Sequence, residues 1–355
     1  MTARIEVPTP RVSVVTPFHN TAAYLQQCIE SVLNQTYGEF EYILVNNAST
    51  DGSREIALRY AQADSRIRLI DTPQLFSQVQ NYNFALSQIA PESEYTKLVQ
   101  ADDWIYPECL ESMLEVARSD TRIGLVGSFY LQGSQVAGWG LPVTARRYAG
   151  REICRYQLFG GHFLFGSPTT VLYRSDLVRS RPAFYAEGRY HEDTDVCYEL
   201  LESSDFGFVH QVLSFLRTEN ESIMKSASQF NPFMLDRYTA LYRHGPKFLS
   251  PDELKWRKRA LDREYVQFLG KSLLRCQGPP FWRYHRKGLK TVNLDLPWVR
   301  LGVFLLNDAL NLVMNLKSTV ERTWRFLVRH VRRPSKRSDD PTNLVHLSES
   351  PQLRD

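Results

Sequence analysis

An α/β fold, with a mostly parallel sheet covered by helices, is the class this sequence predicts on three observations. Short Val- and Ile-rich apolar runs bounded by turn residues recur through the first 135 residues, as strands buried on both faces do. Segments with apolar residues three and four apart alternate with those runs, which marks helices with one buried face. Polar, turn-forming loops follow three of the strands, at the carboxyl edge where such sheets bind ligands.

The predicted strands are VSVVT (12–16), YILV (42–45), IRLI (67–70), TKLVQ (96–100) and IGLVGSFYL (123–131). Between them, TAAYLQQCIESVLNQ carries Leu25, Cys28, Ile29, Val32 and Leu33 on one face. SREIALRYAQA, VQNYNFALSQI and PECLESMLEVARS follow the same pattern, the last with Pro107 at a first helical position. Residues 136–170 are glycine-rich and aromatic, and VLYR then resumes strand character. AEGRYHEDTDVCYELLES reads as a polar loop entering a helix, and FGFVHQVLSFLR as the final strand of the domain. From Asn231 the periodicity is helical, so the predicted organisation is a sheet domain over 1–230, a helical region over 231–333 and a disordered polar tail over 334–355.

Composition narrows the class. The 355 residues are 43% hydrophobic and 23% charged, a globular balance, and the net charge of +4 is too mild to imply nucleic acid. Five scattered cysteines without a Cys-x-x-Cys pair argue against a disulfide framework or zinc ribbon and fit a reducing cytosol. MTARIEVPTP has no apolar core of a signal peptide, so a cytoplasmic location is expected. Residues 297–316 (PWVRLGVFLLNDALNLVMNL) are interrupted too often for a bilayer span, yet Val303, Phe304, Leu306, Leu310, Leu312 and Val313 form a broad apolar face. The basic run from Lys317 to Arg337 follows. Two readings stand: a helix packed on the main domain, or an interfacial helix on anionic lipid at the inner membrane face.

Three loops converge on one sheet edge: PFHN, NNASTDGS and ADDW. None is a phosphate-binding glycine loop, which disfavours dinucleotide dehydrogenases and P-loop ATPases. Asp102 and Asp103 adjoin at a strand end, where two carboxylates repel and lose hydration. Either Asp103 caps the helix after Pro107 while Asp102 is solvated, or a cation removes the repulsion. Transfer from a nucleotide-activated donor uses such a pair, since Mg²⁺ or Mn²⁺ takes carboxylate oxygen together with substrate phosphates.

VSVVTPFHN, VNNASTDGS, QADDW and GRYHEDTDVCYELL, in that order, resemble the motifs of inverting family 2 glycosyltransferases of the GT-A fold, over about residues 10–225. GSPTTVLYR also resembles the acceptor-side loop of that family. The resemblance implies that Thr16, Pro17, His19 and Asn20 grip the nucleotide-diphosphate sugar donor and that Asn46 and Asn47 reach its base. It implies Asp102 and Asp103 as metal ligands, one of them also on the sugar nucleotide, and Asp193 as general base. His162, Ser167, His191 and Glu192 fall on the acceptor side or support the base. The acceptor implied is a glycan or lipid-linked glycan. Three positions depart from the family pattern: Gln100 where a carboxylate is frequent, Asn46–Asn47 where an aspartate pair is common, and Tyr82 where many members carry arginine. No Q-x-x-R-W motif follows Glu192–Asp193, which disfavours a processive polymerase. The rival readings are a catalytically inactive nucleotide-sugar-binding or scaffolding subunit, which those departures motivate, and a nucleotidyltransferase, which lacks its basic loop in TPFHN. In HEDTDV, Asp195 or Glu192 also has a structural alternative, as a cap or as the ion-pair partner of Arg189.

Overall fold

The computed structural model describes residues 11–188, 191–218 and 230–314. The predicted strands form where the apolar runs lie: β1 (Val12–Phe18), β2 (Phe40–Asn46), β3 (Ile67–Asp71), β4 (Tyr95–Leu98) and β6 (Ile123–Gln132), with a two-residue β5 (Trp104–Ile105) after the acidic pair. Every residue of β1 and β2 is buried, as their unbroken apolar character requires. Helices α1 (Ala22–Leu33), α2 (Ser53–Ala63), α3 (Gln78–Leu86) and α4 (Cys109–Arg118) occupy the predicted segments. Leu25, Cys28, Ile29 and Val32 of α1 share one core with Val12, Val14, Tyr42 and Leu44 of the sheet and with Met113 and Leu114 of α4. The predicted face of α1 is therefore the face that packs.

The glycine-rich stretch holds β7 (Gln135–Ala137), β8 (Arg147–Tyr148) and α5 (Gly150–Leu158). The last is a helix not predicted from the sequence, although its buried Gly150, Ile153, Cys154 and Leu158 do fall three and four apart; glycines and aromatics dominate the stretch. A 3₁₀ turn (Pro168–Thr170) leads into β9 (Leu172–Arg174), followed by α6 (Ser175–Arg179), α7 (Glu192–Leu200) and the long β10 (Asp205–Leu216).

The sheet runs β3-β2-β1-β4-β9-β6-β10-β5, with β7 on β6 and β8 on β10. Its first four strands are mutually parallel. β9 then runs antiparallel to both β4 and β6, and β6 and β10 are again parallel. The sheet is therefore mixed, and its parallel part is the part the alternating pattern foretold. Antiparallel pairing sets the amino end of β9, and so the 3₁₀ turn, beside the carboxyl end of β4.

Four further helices follow: α8 (Pro232–Phe248), α9 (Pro251–Leu274), α10 (Pro279–Lys290) and α11 (Trp298–Met314). The chain divides into two compact units, Met1–Pro297 and Trp298–Asp355. Helices α8 to α10 thus belong to the unit that holds the sheet, with α8 against α5, α9 and α10. The second unit is described only over α11, the helix expected from its apolar spacing. The side chains of residues 311–313 (Leu312 and Val313 among them), the basic run from Lys317 and the tail over 334–355 lie outside the described residues, as do Arg189, Tyr190 and the first ten residues. Among the described residues no helix is long and apolar enough to cross a membrane. All five cysteines are free, four of them buried.

Candidate active site

The acidic turn is held from several sides. Asp103 N–H donates to Gln100 O at 3.0 Å, closing a tight turn after β4. Trp104 pairs with Phe215 of β10, and the two rings stack at 3.7 Å. Asp103 is only 5% exposed. Its Oδ2 accepts from Thr169 Oγ1 at 2.7 Å and its Oδ1 from Arg217 N–H at 3.0 Å. The bonds of Asp103 therefore go to β9's lead-in and the end of β10, while α4 has Glu108 at its N-cap with no side-chain bond. The capping reading of Asp103 is not what the structure shows. Burial, then the neighbouring charge of Asp102, pushes the Asp103 carboxyl up to about 7. A cation in contact would reverse that penalty.

Arg217, which the sequence did not single out, follows Leu216 at the end of β10. Its Nε donates to Asp102 O at 3.0 Å and its NH2 to Gln27 Oε1 at 2.8 Å, while the guanidinium lies over the rings of Tyr24 and Trp104. Among the described residues no group of three or more His, Cys, Asp or Glu side chains is arranged to hold a metal ion. Two carboxylates at a strand end fit a divalent cation that completes its oxygen shell with substrate phosphates and water, the ordinary habit of Mg²⁺.

Next to this turn opens a cavity of about 780 Å³. It brings together Asp102, Asp103, Asp193, His162, Ser167 and His191 of the expected residues, and adds Arg217 and Gln100. Glu192, Thr16, Pro17, His19, Asn20, Asn46 and Asn47 do not line it. Asp193 sits at the start of α7, where its Oδ1 accepts its neighbour Thr194 N–H at 2.7 Å. Burial raises the Asp193 carboxyl above its usual range against the opposing pull of His191. Glu192 is pushed up to about 7 by burial and by Asp193.

Helix α8 clamps α7 on two sides. His191 Nε2 lies 2.6 Å from Asp236 Oδ2. Burial would lower the imidazole's pKa, but Asp236, helped by Asp193 and Glu192, holds it at about 9. Asp195 accepts from Arg243 and lies 2.7 Å from His244 Nε2. Despite its burial, these two partners hold its carboxyl below the usual range. Asp195 is thus an ion-pair residue, the kind of structural role weighed from the sequence, with Arg243 and His244 as partners; Arg189, the partner the sequence suggests, lies outside the described residues. Asp236 and Arg243 also line the cavity, and nothing in their local sequence marks them.

On the other side of Asp102, the loops after β1 and β2 are bonded to each other. Asn20, at φ 51°, accepts Thr50 N–H through its side chain at 2.8 Å and donates its own N–H to Ser49 Oγ at 3.1 Å. His19 Nδ1 lies 2.7 Å from Asn47 O. Asn46 donates to Asp71 at 2.8 Å and accepts Ser49 N–H at 3.1 Å. Asn47 donates to Phe76 O and accepts Phe76 N–H. Both amides are buried, and Thr16 is fully buried with its hydroxyl 3.0 Å from Tyr42 Oη. Asp51 accepts from Ser53 and from Ala22 N–H and so ties the turn to the starts of α1 and α2. His19 and Asn20 are exposed on this edge.

Two of the departures from the family pattern meet in space. Gln100 Nε2 donates to Tyr82 Oη at 3.0 Å. A neutral pair therefore occupies the positions where the family frequently shows carboxylate and arginine. The two substitutions match each other.

Comparison with solved structures places this architecture in the GT-A class. S. aureus TarS 1–349, in complex with UDP-GlcNAc, superposes with a TM-score of 0.53 at 18% identity, over 74% of this chain and 72% of that one. The Pyrobaculum calidifontis mannosyltransferase PcManGT, in complex with GDP-Man and Mn²⁺, gives 0.52 at 14% identity, over 92% and 87%. At these identities the likeness is one of fold. In sequence, residues 13–181 match the family model for glycosyl transferase family 2. Glycosyltransferase GlyG of Streptococcus pneumoniae is 26% identical over 222 residues, 61% of this chain and 73% of GlyG. The chain is a glycosyltransferase, and it carries a family 2 domain.

Proposed function

We propose that this enzyme transfers a single sugar from a nucleotide-diphosphate donor to a hydroxyl of a glycan or glycolipid acceptor, with inversion at the anomeric carbon. The observation that carries the reading is that one cavity is lined by Asp193, by Asp102 and Asp103 of the acidic turn, and by Arg217. Asp193 takes the proton of the acceptor hydroxyl as that oxygen bonds to the anomeric carbon. The bond from that carbon to the diphosphate oxygen breaks on the opposite face, and the electron pair leaves with the nucleotide diphosphate. Asp102 and Asp103 are the residues that would hold a divalent cation, Mg²⁺ or Mn²⁺, which when bound supplies charge stabilisation to the diphosphate. The complexes of TarS with UDP-GlcNAc and of PcManGT with GDP-Man and Mn²⁺ support a donor and a cation of these classes.

Pro17, His19 and Asn20, with the backbone at Thr16, Asn46 and Asn47, form the donor's edge in this reading. Their side-chain bonds fix the loop shape that receives the base. His162 and Ser167 belong to the acceptor wall, and His191 and Glu192 support Asp193. The Tyr82–Gln100 match favours a working site over an inactive scaffold, since a decayed site has no reason to keep its replacements paired. We place the enzyme in the cytoplasm, in polysaccharide assembly, with α11 and the basic run after it resting on anionic lipid at the inner membrane face.

A thermal-shift panel of UDP-, GDP-, dTDP- and CMP-sugars, each with Mn²⁺ and with EDTA, tests the donor reading. A ligand at 100 times its Kd adds about 2.7 kcal/mol. A Mn²⁺-dependent shift with one nucleotide, lost in Asp102→Ala and Asp103→Ala, is expected; no shift with any of them would return the scaffold reading. The anomeric configuration of the product, read by NMR, tests inversion. Flotation with anionic liposomes tests the membrane contact, which fails if a chain ending at residue 295 floats as well as the whole protein.

A further inference from the structure

Lys97 lies on β4, three residues before the site's Gln100, and is completely buried. Its ammonium donates to Thr169 O at 2.6 Å, to Val171 O at 3.2 Å and to Met113 Sδ at 3.7 Å. Three protons have three acceptors, and none of these acceptors is a carboxylate. Burial therefore works against the charge, and the pKa is lowered. A buried cation is a costly way to fill a core, and apolar side chains of similar volume frequently do it better. What a lysine can do there, and a methionine cannot, is satisfy two carbonyls of the chain that enters β9.

Those carbonyls lie within the 3₁₀ turn that faces Asp103 (Thr169) and just after it (Val171). Thr169, also fully buried, accepts Gln100 N–H at 3.0 Å and donates to Asp103 Oδ2 at 2.7 Å. The lead-in to the turn is equally constrained. Gly166 has φ +64°, and a Cβ there would stand 2.3 Å from Thr170 Oγ1. We infer that Lys97 and Thr169 are positioning residues for Asp103: the buried ammonium anchors the Pro168–Thr170 turn from beneath, and the turn's hydroxyl aims the carboxylate at the diphosphate and its cation. The inference deepens the proposed function and rests on its assignment of Asp103. It joins the two walls of the cavity, since Ser167 and Gly166 of the same turn line it.

The test is titration calorimetry of UDP and of GDP into the full chain, with Mn²⁺ and separately with EDTA, for wild type, Thr169→Val, Thr169→Ser, Lys97→Met and Asp103→Asn. Thr169→Val and Lys97→Met should each weaken the Mn²⁺-dependent affinity about tenfold and leave the affinity in EDTA unchanged, a split that a general loss of structure does not produce. Thr169→Ser, which keeps the hydroxyl, should bind as wild type. If Lys97→Met does not fold, Lys97→Gln, which keeps a donor at reduced charge, is read in its place and should fall between the two. Wild-type Mn²⁺-dependent affinity in Thr169→Val or Lys97→Met, with Asp103→Asn weakened, overturns the inference alone. If Asp103→Asn also binds as wild type, or the unmodified protein shows no Mn²⁺-dependent binding, the functional reading fails and takes the inference with it.

Discussion

The two sides of the site are built from different materials. In the proposed function the donor edge, after β1 and β2, is built mostly from amides and hydroxyls: Asn20, Ser49, Thr50, Asn46 and Asn47 bond one another and backbone, with Asp51 and Asp71 as carboxylate partners. The acceptor side is built from charges drawn from distant segments. Asp195 meets Arg243 and His244, and His191 meets Asp236. Losing one neutral bond costs about 1–3 kcal/mol where the partner is buried, as Asn46 and Asn47 are. Breaking a buried ion pair costs more, because the survivor is left uncompensated. On the proposed function, the comparison predicts that the half which fixes donor geometry tolerates change better than the half which sets proton transfer.

The largest effect that would break this contrast is on turnover. Asp193→Asn should lower kcat by on the order of 10²–10⁴ while leaving Mn²⁺-dependent nucleotide binding in place, read by donor turnover beside calorimetry. Loss of binding in step with kcat would move Asp193 out of the base role. Next comes stability: Asp195→Ala strands Arg243 and His244 and should cost about 3–5 kcal/mol in urea unfolding. A cost under about 1 kcal/mol would make the acceptor side no more brittle than the donor edge.

A pH scan sharpens the same point. His191 is raised from 6.5 to about 9 by Asp236, Asp193 and Glu192 acting against burial. A raised imidazole stabilises the fold fully below pH 6.5 and loses that contribution as pH rises through about 9. Melting followed from pH 6 to 10 should therefore lose up to about 3 kcal/mol, and Asp236→Asn should flatten the loss. Asp236 itself is raised by its own burial, against the pull of His191, so the pair is less favourable than the imidazole's shift alone implies. The smallest expected effect is on the donor edge. Thr16→Val removes a buried hydroxyl from Tyr42 and should cost about 1 kcal/mol in unfolding with nucleotide affinity unchanged; a fall in affinity would put the side chain in ligand contact.

What the sequence made readable follows the same division. Strands β1 to β4 and helices α1 to α4 lie where period-two and three-four spacing put them, since burial on a sheet face or helix stripe is a local pattern. The acidic turn and Asp193 were readable from motif order, and both line the cavity. Arg217, Thr169, Lys97 and Asp236 were not, because their meaning lies in partners far along the chain: Thr169 and Arg217 reach Asp103 across 66 and 114 residues, and Lys97 reaches Thr169 across 72. The helix α5 was missed for a different reason: its buried face is short and starts on a glycine, within a stretch that glycines and aromatics dominate. Tyr82 and Gln100 were each visible as departures, but only their contact at 3.0 Å makes them one substitution instead of two.

The reversal of chain direction at β9 has an evolutionary corollary. Between the end of β6 and the start of β9 the chain adds only the short β7 and β8 to the sheet, off its main strand order, and returns beside the acidic turn with both ends anchored by neighbouring strands. Such a segment can be lengthened, shortened or exchanged as a cassette while β1 to β4 stay in register. On the proposed function, a lineage with this topology can explore new acceptors without renegotiating its sugar nucleotide.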